Sequence, residues 1–132
     1  MAVRFEYDAE QQLLLLTFDG ELRDETLVQA YRTARRFAAK HEIKRGILDG
    51  TKIESFSVSA ETVQSLAHHQ TMFPEDSDRC IVVSQDYLFG MARMYQLLGG
   101  ESRDKLRVVR SLDEAYAHLK MDPPANLQLL EE

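Results

Sequence analysis

A single α/β domain, with a mixed five-stranded sheet and helices packed on it in the order β-β-α-β-α-β-α-β-α, is the fold that this chain predicts. Three observations carry it. Residues 80–99, CIVVSQDYLFGMARMYQLLG, pass from a short apolar run through a polar break into a helix that is apolar along one side. The run LLLLTFDG is apolar on both faces, as a strand inside a sheet is. Ser111, with Glu114 three residues on, forms a capping box that opens a last helix.

The elements follow in chain order. Phe5 and Tyr7 alternate with charged neighbours in RFEYD, residues 8–12 break the pattern, and LLLLTFDG resumes it, which reads as a β-hairpin. Its second strand covers 13–18, and Gly20 ends it. Asp24 is placed to cap the N–H groups of a helix over 25–40, with Glu25 at the positive end of its dipole. Leu27, Ala30, Tyr31, Ala34, Phe37 and Ala38 line the inner side of that helix. A third strand, RGILDGT, ends near Asp49 and Gly50, and 49–59, DGTKIESFSVS, reads as a loop leading to Ser59 at an N-cap. The second helix is expected over 60–73, with Val63, Leu66, Ala67 and Gln70 on one side and Pro74 as its stop. The fourth strand covers 80–83. The third helix covers 88–98, with Met91, Met94, Tyr95 and Leu98 on one face and Gly99 as C-cap. Residues 106–109 give a fifth strand, and the last helix turns Leu112, Ala115, Tyr116 and Leu119 inward. Pro123 and Pro124 end it. The domain is therefore expected over 1–122, with 123–132 as a loose tail.

Alternating strands and helices imply parallel neighbours, the opening hairpin being the antiparallel part. A chain of 132 residues is enough for one core without a bridge or a structural metal. The lone cysteine, Cys80, sits inside an apolar run and reads as a packed thiol.

Charge and chemistry narrow the function. Sixteen basic residues against 22 acidic ones leave a net charge of -6, which repels polyanions, so no nucleic-acid partner is expected. Arg32, Arg35, Arg36 and Lys40 then read as a solvated helix face. No segment approaches the roughly 20 apolar residues that cross a bilayer. MAVRFEYDAE has no signal-peptide core, so a cytoplasmic location is expected.

His68 and His69 are adjacent on a helix and point about 100° apart, which is wrong for one metal. His41 and His118 join them only through the fold, and CxxC and HExxH are absent, so no metal is expected. No GxSxG nucleophile turn appears, and Ser59 and Ser111 are explained as caps. After Ser84 the chain reads QDYLFG where a phosphate loop would be glycine-rich. No cofactor or catalytic residue is assigned. The one enzymatic arrangement worth weighing pairs His68 or His69 with a carboxylate such as Asp49.

Two segments carry the functional expectation. Tyr87, Phe89, Met91, Met94 and Tyr95 cluster beyond the end of the fourth strand, where open α/β sheets bind ligands. They read either as core filling or as a surface for a protein or an apolar molecule. In the second segment Thr51, Ser55, Ser57 and Ser59 follow the end of the third strand near Asp49; Asp49 and Thr51 read as part of the same partner or ligand surface, and a phosphate on Ser57 or Ser59 would sit near a helix N-terminus.

GILDGTKIESFSVSAETV, CIVVSQDYLFGMARMYQ and RVVRSLDEAYAHL together resemble the bacterial SpoIIAA-like proteins, related in fold to the STAS domain of anti-sigma factor antagonists and to Sec14-type lipid-binding domains. The resemblance implies a small, cytoplasmic, non-enzymatic regulatory or interaction module. It also places Ser57 and Ser59 in the region where the antagonists are phosphorylated. The partners it suits are another protein, a second copy of the chain, or a small apolar molecule or lipid.

Overall fold

The computed structural model describes residues 2–69, 72–100 and 104–131, the side chains of Ala2 and His69 apart. β1 (Ala2–Asp8) and β2 (Leu13–Arg23) form the expected antiparallel hairpin, with Phe5 opposite Leu16. Asp8 makes the turn: its Oδ1 accepts from the N–H groups of Glu10 at 2.9 Å and Gln11 at 3.3 Å, and Gln12 takes a φ of 55°.

β2 does not stop at Gly20. It runs on to Arg23, because Gly20 adopts a φ of 101° that a residue with a Cβ rarely takes, and the pairing with the neighbouring strand shifts register beside it without breaking. β3 (Arg45–Ser57) runs parallel beside it over its whole length, from Leu13 opposite Arg45 to Arg23 opposite Ser57. The expected loop after Asp49 is thus strand as far as Ser57, since the extension of β2 satisfies its backbone groups.

Four helices complete the described residues. α1 (Asp24–Ala38) buries Ala30, Tyr31, Ala34 and Phe37 as its periodicity predicts. Its N-cap is Arg23, without a side-chain bond, so Asp24 is not the cap but lies in the first turn. α2 (Ala60–His69) ends before the expected Phe73, and Gln70 lies outside the described residues. Met72 and Phe73 are buried beyond it. The Phe73 ring covers Gly46 so closely that a Cβ there would come within 2.6 Å of it, which accounts for a glycine near the start of β3.

β4 (Asp78–Val82) begins two residues earlier than expected, and α3 (Asp86–Leu98) likewise. Gly99 is the C-cap of α3, as expected, and the left-handed turn follows at Gly100, with a φ of 56°. β5 (Leu106–Val109) and α4 (Leu112–Leu119) match the expectation. Ser111 Oγ accepts from Glu114 N at 3.2 Å, while Glu114 Oε2 accepts from Arg110 N at 3.0 Å. Lys120, at φ 55° and ψ 49°, ends α4 three residues ahead of the first proline.

The tail is tied down rather than loose. β6 (Gln128–Leu129) pairs antiparallel with β1, and Leu130 N donates to Phe5 O at 2.8 Å. The sheet is therefore mixed and six-stranded, in the order β5-β4-β3-β2-β1-β6. One face carries Leu14, Leu16 and Phe18 against α1, α2 and α3; the other carries Leu13, Leu15, Ile47 and Cys80 against α4.

Candidate functional site

The α1–α3 face of the sheet does not close completely. Strand alternation turns Phe18 and Leu22 of β2, Leu48 of β3 and Ile81 of β4 toward the helices, and the register shift after Asp49 brings Ile53 of β3 to the same side. α1 answers with Leu27 and Tyr31, α2 with Val63 and Leu66, and α3 with Leu88, Met91, Ala92 and Tyr95. Between them lies a cavity of about 80 Å³ whose walls are side chains of apolar type throughout, the tyrosines included. Leu27, Phe56, Leu66, Met91 and Tyr95 are only partly buried and form its rim.

The side chains that wall this cavity are set by neighbours that fix α3. Gln85 Nε2 donates to Ile53 O at 3.2 Å, tying the start of the helix to β3. Arg110 Nη1 donates to Asp86 Oδ1 at 2.7 Å and to Ser84 O at 3.2 Å, and its guanidinium lies 4.1 Å from the centre of the Phe89 ring. Tyr87 is 63% exposed and meets Phe56 edge to face at 5.8 Å, beside the rim. The structure thus divides the expected cluster. Met91 and Tyr95 are on the wall, whereas Tyr87 and Phe89 are not, and Met94 packs half-buried against the surrounding core. Leu98, expected inward, is exposed, as is Leu97.

A second, smaller space of about 20 Å³ adjoins the first, with Tyr31, Leu48, Ile81 and Tyr95 walling both. Met72, Phe73, Leu106 and Arg79 complete it. Arg79 precedes the strand expected over 80–83 but belongs to β4. Its phase was nonetheless legible, since in RCIVV it stands two residues before Ile81 and four before Val83, and alternation puts all three on one face.

The segment 49–59 proves to be two places. Asp49 and Thr51 belong to the α4 side of the sheet, where Asp49 is buried and its Oδ1 accepts from Thr51 N at 2.9 Å and Thr51 Oγ1 at 2.7 Å. Together with burial, the Asp49 carboxylate raises the pKa of Tyr116 on α4. α2 lies on the opposite face, with His68 exposed, so the sheet separates Asp49 from His68 and that pairing is overturned. His69's side chain is outside the described residues. No three His, Cys, Asp or Glu side chains among the described residues gather where they could hold a metal ion.

Ser57 and Ser59 are exposed at the other end of the segment. Ser59 is a helix cap, as expected: its Oγ accepts from Thr62 N at 3.1 Å. Asp24 of α1 reaches across, Oδ1 accepting from Ser59 N at 2.9 Å and Oδ2 from Ser59 Oγ at 3.4 Å. Ser57 Oγ donates to Glu21 Oε2 at 3.4 Å. Both hydroxyls therefore face carboxylates.

Cys80 is fully buried and burial pushes its thiol up to about 12, so it is packed and inert. Among the described residues no helix is long and apolar enough to cross a membrane. No family model matches the chain, and no curated protein matches it.

Proposed function

We propose that this chain is a non-enzymatic, STAS-like binding module of the SpoIIAA-like kind, and that its cavity receives a small apolar group. The cavity itself is the observation that supports this reading. Water in a cavity needs two to four polar partners, and walls such as Phe18, Leu22, Leu48 and Ile53 offer none, so apolar matter is the favoured occupant. At about 80 Å³ it is far below the roughly 300 to 1,000 Å³ of a drug-sized pocket, so it suits a short chain or the end of a longer one. Native mass spectrometry of the purified protein, followed by solvent extraction, is expected to release an apolar compound held one per chain. An empty cavity after gentle isolation, unfilled on adding short alkyl compounds, would sink the reading.

A second reading, a surface for another protein or a second copy, rests on Tyr87, Leu97 and Leu98, which stand exposed along α3. The two readings meet at Ser57 and Ser59. A phosphate on Ser59 would face Asp24 and repel it, loosening the tie between α1 and the start of α2, both of which wall the cavity. Ser59→Asp is expected to change binding through that tie; unchanged binding would remove the switch.

A further inference from the structure

We infer that the open edge of β5 takes up an extended, acidic segment of another protein as a further strand of the sheet. This edge shares no wall with the cavity described above. In the sheet order, β6 closes the β1 end and β5 stands last at the other. Arg79 N donates to Lys105 O and Val83 N to Val109 O, both at 3.0 Å, so β5 pairs with β4 through residues 105, 107 and 109. The backbone groups of Leu106 and Val108 therefore turn outward. Gln96 Nε2 donates to Leu106 O, and Arg110 N, next in the outward phase, donates to Glu114 Oε2 at 3.0 Å. Among the described residues, none bonds to the N–H or C=O of Val108.

A groove of about 450 Å³ follows this edge, floored by residues 104–108 and flanked by Arg93 and Gln96 of α3 on one side and His118 of α4 on the other. Strand alternation puts Arg107, the partner of Cys80, on the α4 side, where it helps to depress the pKa of His118. Arg93 sits on the α3 side, its Nη1 donating to Gln96 Oε1 at 2.6 Å. Both arginines are exposed, and neither is in an ion pair among the described residues. Lys105 adds a third cation, against the carboxylates of Asp78 and Asp104. The edge is thus net positive on a chain whose net charge is -6.

That charge selects the occupant. A strand added here turns alternate side chains to the α3 and α4 sides, so acidic residues of either phase meet Arg93 or Arg107. Two copies of β5 laid edge to edge bring the same cations together, which disfavours self-pairing. β5 is four residues long and spans about 13 Å, so a short segment covers it.

The test uses the full chain and a hexapeptide of alternating glutamate and valine. Its controls are the same peptide with lysine for glutamate, and the acidic peptide N-methylated along its backbone. In the free chain the Val108 amide is expected to exchange its hydrogen faster than the amides of Arg107 and Val109, which bond to β4. The acidic peptide is expected to slow that exchange and to bind about tenfold more tightly than the lysine peptide, an order that Arg107→Glu reverses. Arg107 is exposed, so this variant spares the core. Equal binding of the two peptides overturns the acidic partner. Binding undiminished by N-methylation overturns strand addition in favour of surface ion pairing. Failure of the acidic peptide to bind, or a Val108 amide already protected in the free chain, overturns the open edge. Dimers in sedimentation with that protection would make the occupant a second copy.

Discussion

At the scale of single residues, the chain uses burial to decide which groups keep their chemistry. Cys80 and Arg79 are neighbours on β4 with opposite phases: the thiol points to the α4 side, where burial silences it, and the guanidinium points to the cavity side. His118 on α4 illustrates the same rule with a measurable outcome. Burial, then Arg107 and Lys120, pull its pKa below the usual 6.5, with Asp78 opposing them. The unfolded chain therefore takes up this proton at a higher pH than the folded one. Stability from this group is complete above about 6.5 and falls as the pH drops through the lower, folded value. Urea midpoints measured from pH 8 down to pH 5 are expected to decline over that window, and His118→Gln is expected to flatten part of the decline. An identical slope in the variant would remove His118 as its source.

At the scale of elements, the tail makes the sharpest test. β1 would be an open edge without β6, and an edge strand exposes unpaired backbone groups to other chains. Residues 127–130 cover it as a clip, Leu127 packing on the α4 side and Leu130 on the α1–α3 side. Ending the chain after Asp122 is expected to cost about 1–3 kcal/mol, from the partial burial of those two leucines, and to cause concentration-dependent association visible in light scattering. A shortened chain as stable and monodisperse as the full one would show that the clip is dispensable. The tail was hidden from sequence reading because two prolines end the last helix just before it, and a two-residue strand has no periodicity to detect. The same cause hid the reach of β2 and β3. Gly20 signals an end when read locally, and only the neighbouring strand shows that the ladder shifts register there and continues. Elements with strong local signals were legible: the inner side of α1 from its spacing, and the start of α4 from Ser111 and Glu114.

At the scale of the whole molecule, what could not be read was the relation between elements, and the candidate site is made of such relations. Met91 and Tyr95 were legible as an apolar helix face, but the cavity behind them exists because three helices meet one sheet face without filling it. A void of this kind is either a packing defect or a place kept open, and one substitution separates the two. Ala92 is buried on the cavity wall, and replacing it with leucine adds three carbons directed at the empty space. If the lost volume is recovered at roughly 24 cal/mol per Å³, filling about 80 Å³ stabilises the fold by about 2 kcal/mol, less whatever strain the new rotamer brings. Ala92→Leu is therefore expected to raise the urea midpoint and, at the same time, to abolish binding of short alkyl compounds. Such a trade of stability against binding is the mark of a site left open for use. Greater stability with binding unchanged would place the ligand elsewhere, and a loss of stability would mean that the helices already meet the sheet as closely as their side chains allow.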